Sequence, residues 1–485
     1  MSFLNFLNRR DFVKTTSAGM VASALPGILK AQQAPSLNVT GANERIRVAC
    51  VGYSDRFRQS LLPCFLNNAK ELNFDLVAVA DLWKKRLNEE AIPKLKEKTG
   101  HDIAGYGSDV ELYEKAKDID AVIISTADFQ HAQHAAHAVV AGKDTYCEKP
   151  LAEDMYSANM LKDAVDAKRK ANFAPGAVLQ IGSQRRSTKK YWAAKDFLNS
   201  GEFGDISYVD LRWNVNQPRR WRRSEKLVAS LKQEDIDWNL WLLDRDPNAY
   251  PFDPRKYLEF RLFWPFSSGT PGQWMCHQID TVAWFTGNAY PTSAVSSGGI
   301  YQWADGRTNY DTFTTILEYG KSGEKGKGFQ CVFQSHQHNC GGGGNPNHES
   351  PIEKYYGPNG CVDLGLGKVT NEGVEGKKRE ERSLPAPKED IVTSANTGAD
   401  PSTNAHMRNW MECVRARKNP NAPIEAGYSH AVALIMANAA ARTGCRATFD
   451  PAQRQVIAGG EVFKGYKSRA LKALKIDTPK PQVTW

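Results

Sequence analysis

The stretch Ile46-Arg-Val-Ala-Cys-Val51 is a short β-rich apolar run that ends directly at Gly52. A helical pattern follows over 56–68, and a second apolar run, Leu76 to Ala80, ends at Asp81. The alternation continues with a helical pattern and a buried run at 84–98 and 121–125. Strands that alternate with helices are typical of a parallel sheet with crossover helices. The sequence therefore predicts an N-terminal α/β domain.

The order of these features matches the layout of a dinucleotide-binding site. Gly52 would let the backbone approach a pyrophosphate, the following helix would supply N–H groups, and Asp81 would accept hydrogen bonds from a ribose. The loop Gly52-Tyr-Ser-Asp-Arg-Phe57 keeps only the first glycine of Gly-x-Gly-x-x-Gly. Ser54 and Arg56 are its other candidate cofactor contacts. An ordinary strand-to-helix turn is the alternative interpretation of this loop.

Charges around this loop bear on the choice of cofactor. Asp55 would place a negative charge near the pyrophosphate, where Arg56 could offset it, or it would cap the helix. Asp81 follows Gly52 by 29 residues and favours NAD. The basic run 84–86 could hold a 2′-phosphate, so NADP stays open.

Composition excludes several classes of protein. The chain has 485 residues, a length that predicts two or three domains. Its 12 Trp, 17 Tyr and 20 Phe are too much apolar surface for a disordered chain, and nine cysteines imply no disulfide framework. The net charge of +9 is a mild bias that gives no reason to expect nucleic acid. No apolar run reaches the roughly 18 residues of a stable membrane span.

The N-terminus predicts export. Arg9-Arg-Asp-Phe-Val-Lys14 is followed by an uncharged segment, 15–29, that is rich in Ala, Gly and Ser. The Arg-Arg-x-Phe-x-Lys pattern resembles a twin-arginine signal, whose substrates are exported folded. A frayed N-terminal helix is the alternative. We expect residues 1–34 to be signal peptide and linker, engaged by the twin-arginine machinery, and the mature protein to be periplasmic or otherwise exported.

The most specific motifs lie between residues 118 and 150. Asp118-Ile-Asp-Ala-Val-Ile-Ile-Ser-Thr126 is followed by Asp128-Phe-Gln-His131 and then by Ala141-Gly-Lys-Asp-Thr-Tyr-Cys-Glu-Lys-Pro150. Together they resemble the glucose–fructose oxidoreductase / inositol dehydrogenase / MocA (Gfo/Idh/MocA) family. The resemblance continues to about Asn421-Ala-Pro-Ile-Glu-Ala-Gly427 and so covers nearly all of the mature chain.

The resemblance implies a Rossmann NAD(P)-binding domain at 44–170 and a C-terminal α/β domain at 171–470 with a large, mainly antiparallel open sheet. It places Thr126, His131 and Glu148 at the cofactor. Lys149 would lie beside the nicotinamide and the substrate hydroxyl, where a cation stabilises a developing alkoxide. The alternative for Lys149 is a surface salt bridge with Glu148.

A second set of site residues also follows from the resemblance. His277 matches the histidine that acts as acid and base on the substrate, a role that suits imidazole near neutral pH. Asp280 lies on the same helical face and would orient the imidazole or contact sugar hydroxyls. The family often has Asp where this chain has Gln273, which can bind a hydroxyl but cannot ionise. The alternative for His277 is a core histidine on a Trp-rich helix.

Other candidates are less specific. Arg185 is expected to face the cleft, and Tyr257 and Trp213 to stack on a sugar, although strand-end charge and core packing are the alternatives. The cluster Arg219-Arg-Trp-Arg-Arg223 is expected to be a solvated loop, with an anionic substrate as a weaker interpretation. His336, His338, Cys340 and His348 fit no familiar zinc spacing, so no metal is predicted.

The prediction for function is an exported NAD(P)-dependent oxidoreductase that acts on CH–OH groups of a sugar, polyol or sugar derivative. The cofactor, NAD or NADP, would stay tightly bound and be recycled by a second substrate. One alternative is a redox-assisted glycosidase or lyase that uses bound NAD. Another is a non-catalytic carbohydrate-binding protein on a decayed dehydrogenase fold, to which the incomplete glycine loop and Gln273 point. A homo-oligomer is expected, with its interface on the open sheet.

Overall fold

The first of two sheets is built from the N-terminal part of the chain. The computed structural model describes residues 44–172, 177–341, 351–384 and 400–468, so the predicted signal at 1–34 and His348 lie outside it. The strands of this sheet are β1 (Ile46–Val51), β2 (Phe74–Ala80), β3 (Ala104–Tyr106), β4 (Ala121–Ile124), β5 (Asp144–Cys147) and β6 (Leu179–Ile181). The helices are α1 (Leu62–Leu72), α2 (Ile92–Thr99), α3 (Asp109–Lys115), α4 (His131–Val140) and α5 (Met155–Asn172).

All neighbouring strands of this sheet are parallel, in the order β3-β2-β1-β4-β5-β6. The order reverses between β1 and β4, which creates a crevice at the carboxyl ends of these two strands. Strands β4 and β5 are buried at every position, as expected for a sheet with helices on both faces. The predicted Rossmann architecture is confirmed.

The second sheet follows in the chain. Its strands are β7 (Tyr208–Arg212), β8 (Ser293–Gly299), β9 (Thr312–Gly320), β10 (Gly328–His336), β11 (Ile352–Gly357), β12 (Gly360–Asp363), β13 (Lys368–Thr370), β14 (Glu381–Ser383), β15 (Ala447–Asp450), β16 (Gln455–Ala458) and β17 (Glu461–Val462). The helices of this part are α6 (Lys189–Leu198), α7 (Glu225–Ser230), α8 (Trp238–Leu242), α9 (Pro254–Leu258), α10 (Cys276–Thr286), α11 (Pro401–Ala416) and α12 (Ile424–Thr443).

The eleven strands lie in the order β14-β13-β12-β11-β7-β10-β9-β8-β15-β16-β17. Among the described strands of this second sheet, only the pair β7–β10 is parallel, so the predicted mainly antiparallel open sheet is confirmed. Along β9, Phe313, Thr315 and Leu317 are buried, whereas Thr314 and Ile316 are exposed. One face of the sheet therefore packs on helices and the other is open, and this open face is where the oligomer interface is predicted.

Helix α12 differs from its prediction. The sequence predicts an Ala-rich, amphipathic helix over 428–442 that packs on the core; the helix does lie in the core, but every residue from Ala426 to Ala440 is buried. The helix packs against β6 and α5 of the first domain and against β8, β16 and α10 of the second. Its many alanines allow this close approach on all sides. The amphipathic description is wrong because α12 is enclosed by both domains.

The predicted boundary at residue 170 does not follow the sheets. Strand β6 comes after that position yet pairs with β5, with Leu179 opposite Thr145. Helix α11, much later in the chain, packs on α1. The first domain therefore takes segments from both sides of the second, an arrangement that local sequence patterns do not show.

Candidate active site

A cavity of about 580 Å³ lies at the carboxyl ends of the parallel strands, where the second domain faces the first. We divide it into two halves by the residues that line it. The glycine-loop half consists of Gly52, Ser54, Asp81, Arg86 and Thr126, and the Lys149 half consists of Lys149, Arg220, Arg261, Gln273 and His277. Crevices at this edge of a doubly wound sheet are the usual place for dinucleotides.

Gly52 is at a position that only glycine can occupy. Its φ is +87°, and a Cβ there would lie 2.7 Å from Cγ2 of Thr126 and 2.8 Å from the carbonyl oxygen of Ser125. The Ser54 hydroxyl is 2.7 Å from the Ser125 hydroxyl and accepts a hydrogen bond from the N–H of Phe57. Without a side chain at Gly52 the backbone of this loop can be approached closely from the cavity, a geometry that fits a pyrophosphate.

Asp55 neither caps the helix nor pairs with Arg56. Its carboxylate accepts from Arg58 and from Nη2 of Arg223, which reaches across from the second domain to 2.5 Å. Burial opposes ionisation of Asp55, but the charges of Arg223 and Arg58 outweigh it and hold the pKa of this carboxyl below its ordinary value. The negative charge that seemed unfavourable for a pyrophosphate is therefore neutralised by two guanidinium groups.

Arg56 and Glu148 join the glycine loop to the Glu-Lys-Pro triplet. Nε of Arg56 is 2.8 Å from Oε1 of Glu148, and Oε2 of Glu148 accepts from the backbone N–H of Lys149 at 3.0 Å. Burial alone would raise the pKa of Glu148, but the charges of Arg56 and Lys149 outweigh burial, so the pKa is lowered from its ordinary value. Glu148 is buried and bound to Arg56, so the alternative of a surface Lys149–Glu148 salt bridge does not hold.

Lys149 projects from the end of β5 into the cavity. The Lys149–Pro150 peptide bond is cis. The ammonium group donates to the backbone carbonyl of Gln273 at 2.9 Å. Nδ1 of His131 lies 2.8 Å from the carbonyl oxygen of Pro150 and Nε2 lies 3.3 Å from that of Thr126, while burial lowers the pKa of His131. His131 thus positions the turn that carries Lys149.

Asp81 is fully engaged within the protein. Its carboxylate accepts from the N–H groups of Tyr53 and Trp83, each at 2.9 Å, and forms an ion pair with Arg86 at 2.8 Å. Arg86 also donates to the hydroxyl of Tyr257 at 3.0 Å. Tyr257, predicted to contact substrate, therefore lies beside Arg86 and Asp81.

His277 lies on α10, just after a π-helical turn at Pro271–Met275. Its ring is 5.8 Å from the ring of Trp213, and its side chain is almost completely buried. Burial, followed by the positive charges of Lys149 and Arg185, lowers the pKa of His277 well below its ordinary value. Among the described residues, none hydrogen-bonds to this imidazole. A neutral ring with free acceptor capacity therefore faces the cavity.

Gln273 is held on both sides of its amide. Oε1 accepts from Nε of Arg261 at 2.9 Å, and Nε2 donates to Asp128 at 2.5 Å. Its backbone carbonyl binds Lys149 at the same time. Gln273 therefore links Lys149, Arg261 and Asp128 through hydrogen bonds.

Two predicted substrate contacts do not reach the cavity. Arg185 is buried and pairs with Glu353. Asp280 accepts from Nε of Arg186 at 2.8 Å and has no contact with the ring of His277 among the described hydrogen bonds. Arg185 is thereby joined to β11 of the second sheet, and Asp280 joins α10 to Arg186. Their predicted contact with substrate has no support in the structure.

Several cavity residues were not predicted. Arg220 and Trp221 line the cavity, and Arg223 crosses to Asp55, although the cluster 219–223 was expected to be a solvated loop. The available signals in the sequence were the four arginines of this cluster and Trp221 between them. Arg261 carried no local signal, because its importance depends on residues far away in the sequence, and Arg86 was predicted only as part of a possible 2′-phosphate site.

A metal has no evident place in the described part of the chain, where no group of three or more His, Cys, Asp or Glu is arranged to hold one. The rings of His336 and His338 are 4.8 Å apart, and His348 lies outside the described residues. Within the described residues, no helix has the length and apolar character needed to cross a membrane.

Comparisons with known proteins agree with this geometry. Residues 46–175 match the family model "Oxidoreductase family, NAD-binding Rossmann fold", and residues 246–449 match "Oxidoreductase family, C-terminal alpha/beta domain". An inositol 2-dehydrogenase/D-chiro-inositol 3-dehydrogenase of Lactiplantibacillus plantarum is 26% identical over 190 residues, which are 38% of this chain and 49% of that protein. The chain thus spans about half the length, or less, of the curated relatives it matches.

Solved structures share the fold over most of the chain. A levoglucosan dehydrogenase in complex with NADH has a TM-score of 0.57 at 15% identity and covers 83% of this chain and 98% of its own. An aldose–aldose oxidoreductase of Caulobacter crescentus has a TM-score of 0.54 at 16% identity, with 84% and 100% covered. The N-terminal domain is an NAD-binding Rossmann domain, and the chain belongs to the Gfo/Idh/MocA family of oxidoreductases.

Proposed function

We propose that this protein is an NAD-dependent oxidoreductase that transfers hydride between the nicotinamide and a CH–OH carbon of a sugar, polyol or sugar derivative. One observation carries the proposal. The ammonium group of Lys149 and the unpaired neutral ring of His277 lie at the same end of a cavity that begins at the glycine loop. The inositol dehydrogenases among the curated relatives support a polyol or sugar as the substrate class.

The chain's own residues fit the cofactor. Gly52 leaves the space that a Cβ would fill, and Arg56 with Arg223 surrounds the loop where a pyrophosphate would lie. Asp81 and Arg86 lie where the adenosine ribose would be held. When bound, NAD supplies the acceptor for the hydride, and the protein supplies orientation and proton transfer.

Oxidation of an alcohol requires that a hydroxyl proton leave as the C–H bond breaks. His277 is neutral because burial and the charges of Lys149 and Arg185 lower its pKa well below the ordinary value, and its unpaired ring faces the cavity, where it can accept this proton. Lys149, held by Gln273, offers a positive charge to the developing alkoxide. His131 and Glu148 fix the backbone on either side of Lys149. In the reverse direction the same two groups would donate to the carbonyl.

We further propose that the cofactor stays bound between turnovers. Second-domain residues cover the glycine-loop half of the cavity through the Arg223–Asp55 ion pair and the Arg86–Tyr257 hydrogen bond. A bridge between Trp83 and Ile236 adds a backbone contact. Release of a dinucleotide would require these contacts to open, which suits recycling by a second substrate.

Export and assembly belong to the same proposal. The Arg9-Arg10 signal supports passage through the twin-arginine machinery, a route that would carry the folded, cofactor-loaded protein out of the cytoplasm. The open face of the second sheet exposes Val295 and Ile316, and it is the surface we propose for a homo-oligomer.

The deciding experiment uses the native purified protein. We expect mass spectrometry to find bound nicotinamide dinucleotide, and we expect its absorbance to change when a sugar or polyol from a panel is added. An empty site, or a loaded site whose spectrum no sugar changes, would contradict the proposal. Release of free sugar from a glycoside without net cofactor change would instead indicate the redox-assisted glycosidase.

A further inference from the structure

The Lys149 half of the cavity concentrates positive charge. Lys149 and Arg261 both bind Gln273, each at 2.9 Å, through its backbone carbonyl and its side-chain oxygen. The guanidinium of Arg220 lies over the ring of the next residue, Trp274, at 5.3 Å from the ring centroid. Three cationic side chains therefore surround one short segment of the π-helical turn that leads into α10.

Negative charge on this side is sparse. Asp128 is the nearest carboxylate to Arg261, at 3.8 Å, but it is buried and already accepts from Gln273 and from the hydroxyl of Ser267. Burial, followed by the charge of Asp128, raises the pKa of Glu153 to about 8, so this second buried acid is protonated at neutral pH. Gln273 carries no charge. The carboxylates of Glu148 and Asp55 also act on Arg261, but they already pair with Arg56, Arg58 and Arg223, so little negative charge is left to offset the three cations.

The cofactor does not account for this excess. Among the carboxylates that line the cavity, Asp55, Asp81 and Glu148 pair with arginines in the glycine-loop half or at its border with Lys149. The pyrophosphate would lie there, above Gly52. Arg261 and Arg220 are on the second domain, beside the residues that we propose bind and oxidise the substrate.

The guanidinium of Arg261 also has N–H groups that are available to a ligand. Its Nε is used by Gln273, yet no described residue accepts a hydrogen bond from its two terminal nitrogens. Burial, together with the nearby charge of Arg223, lowers the pKa of Arg261 despite the opposing effect of Asp128. The terminal edge of a guanidinium is matched in shape to the two oxygens of a carboxylate.

We propose that the substrate is an acidic sugar or polyol, of the aldonic or uronic acid type, whose carboxylate is bound by Arg261 with support from Arg220. This inference rests on the proposed function. The reacting CH–OH group would lie between Lys149 and His277. Its hydroxyl proton would pass to His277 and its hydride to NAD, leaving a carbonyl group on an otherwise unchanged acid.

The test compares matched acid and neutral ligands on the loaded protein. Calorimetry would measure binding of D-glucuronate against D-glucose and of D-gluconate against D-glucitol, with D-glucose 6-phosphate as a third arm. Nicotinamide absorbance would follow hydride transfer in the same samples. We expect the acid of at least one pair to bind about tenfold more tightly than its neutral partner, and the preference to shrink with added salt.

Variants assign the preference to a residue. Arg261→Gln is expected to reduce the acid-to-neutral affinity ratio about tenfold without changing the bound nicotinamide content, and Arg261→Lys to restore part of the ratio. Arg255→Gln is the matched control. Arg255 belongs to the same segment but donates to Glu259 and does not line the cavity, so its ratio should match the native protein.

The outcomes separate this inference from the proposed function. Neutral sugars that bind and react as well as their acids, a preference for the phosphate alone, or no binding by any ligand would overturn the acidic substrate class. Acids that bind preferentially but never reduce the cofactor would support the substrate class and contradict the oxidoreductase proposal.

Discussion

The two halves of the cavity differ in how their polar groups are used. In the glycine-loop half, Asp81 accepts from two backbone N–H groups and from Arg86, which in turn donates to Tyr257. In the Lys149 half, the His277 ring has no hydrogen-bond partner among the described residues, and no described residue accepts a hydrogen bond from the terminal nitrogens of Arg261, whose Nη2 lies 3.8 Å from Asp128. A preorganised network suits a group that stays bound, whereas open donors and acceptors suit a ligand that changes at each turnover.

The largest effect should come from removing the positive charge of Lys149 in the Lys149 half. Lys149→Ala should lower the rate of hydride transfer about 10³-fold, because the developing alkoxide loses its stabilising cation. Cofactor content should stay near that of the native protein, since the network around Asp81 is intact. Single-turnover absorbance and mass spectrometry would measure the two quantities.

A surface lysine provides the control for that change. Lys162 pairs with Asp166 on α5, away from the cavity, so Lys162→Ala should leave both quantities unchanged. A loss of less than tenfold in Lys149→Ala would mean that the charge is not used in the chemical step.

The next effect is a pH dependence carried by His134, which lines the cavity 3.1 Å from the Thr126 hydroxyl. Burial is the main cause that lowers its pKa to about 4, with His137 acting in the same direction and Asp109 opposing. The unfolded chain takes up a proton below about pH 6.5, whereas the folded protein resists until about pH 4. Stability is therefore lost as pH falls through this window, by up to about 3 kcal/mol.

Denaturant unfolding at pH 7, 5.5 and 4.5 would measure this loss. His134→Gln should lower stability at pH 7 but reduce the slope of unfolding free energy with pH, because the titrating group is gone. Other buried histidines keep part of the slope: burial lowers the pKa values of His406 and His430 to about 4 and about 3, and it also lowers those of His131 and His277. An unchanged slope in the variant would show that His134 titrates normally in the folded protein.

A smaller effect separates close packing from backbone strain at the glycine loop. Gly52 and Gly100 both have positive φ, +87° and +80°, but a Cβ on Gly52 would meet Thr126 and Ser125 below 3 Å, whereas a Cβ on Gly100 would meet nothing within 4 Å. Gly52→Ala should cost about 2 kcal/mol more than the matched Gly100→Ala and should lower cofactor content. Equal costs in thermal unfolding would mean that the loop relaxes around the added methyl group.

Much of the fold could be predicted from local patterns. The apolar runs that end at Gly52 and Asp81 and the triplet Glu148–Pro150 are short-range signals, and they led to the parallel sheet and to the position of Lys149. The part that β6 and α11 take in the first domain could not be predicted, because they join it through contacts far apart in the chain.

Site residues could be predicted where they belong to a sequence motif. They could not be predicted where their role depends on a partner that is distant in the sequence. Arg86 was interpreted as part of a possible 2′-phosphate site, but in the structure it holds Asp81 and Tyr257. Asp280 was placed beside His277 by helical spacing, whereas Arg186 captures its carboxylate. In both cases an ion pair set by tertiary packing decides the role of a charged residue.

Helix α12 has a consequence for how the molecule unfolds and moves. It is buried on all sides between the two sheets, and His430 on this helix accepts from the N–H of Leu151, directly after the turn that carries Lys149. One continuous apolar core includes residues of both domains around it. The two sheets therefore cannot swing apart as independent bodies, and heat should melt them in a single cooperative transition. Access for substrates would come from motion of the covering segments, with the framework beneath them remaining rigid.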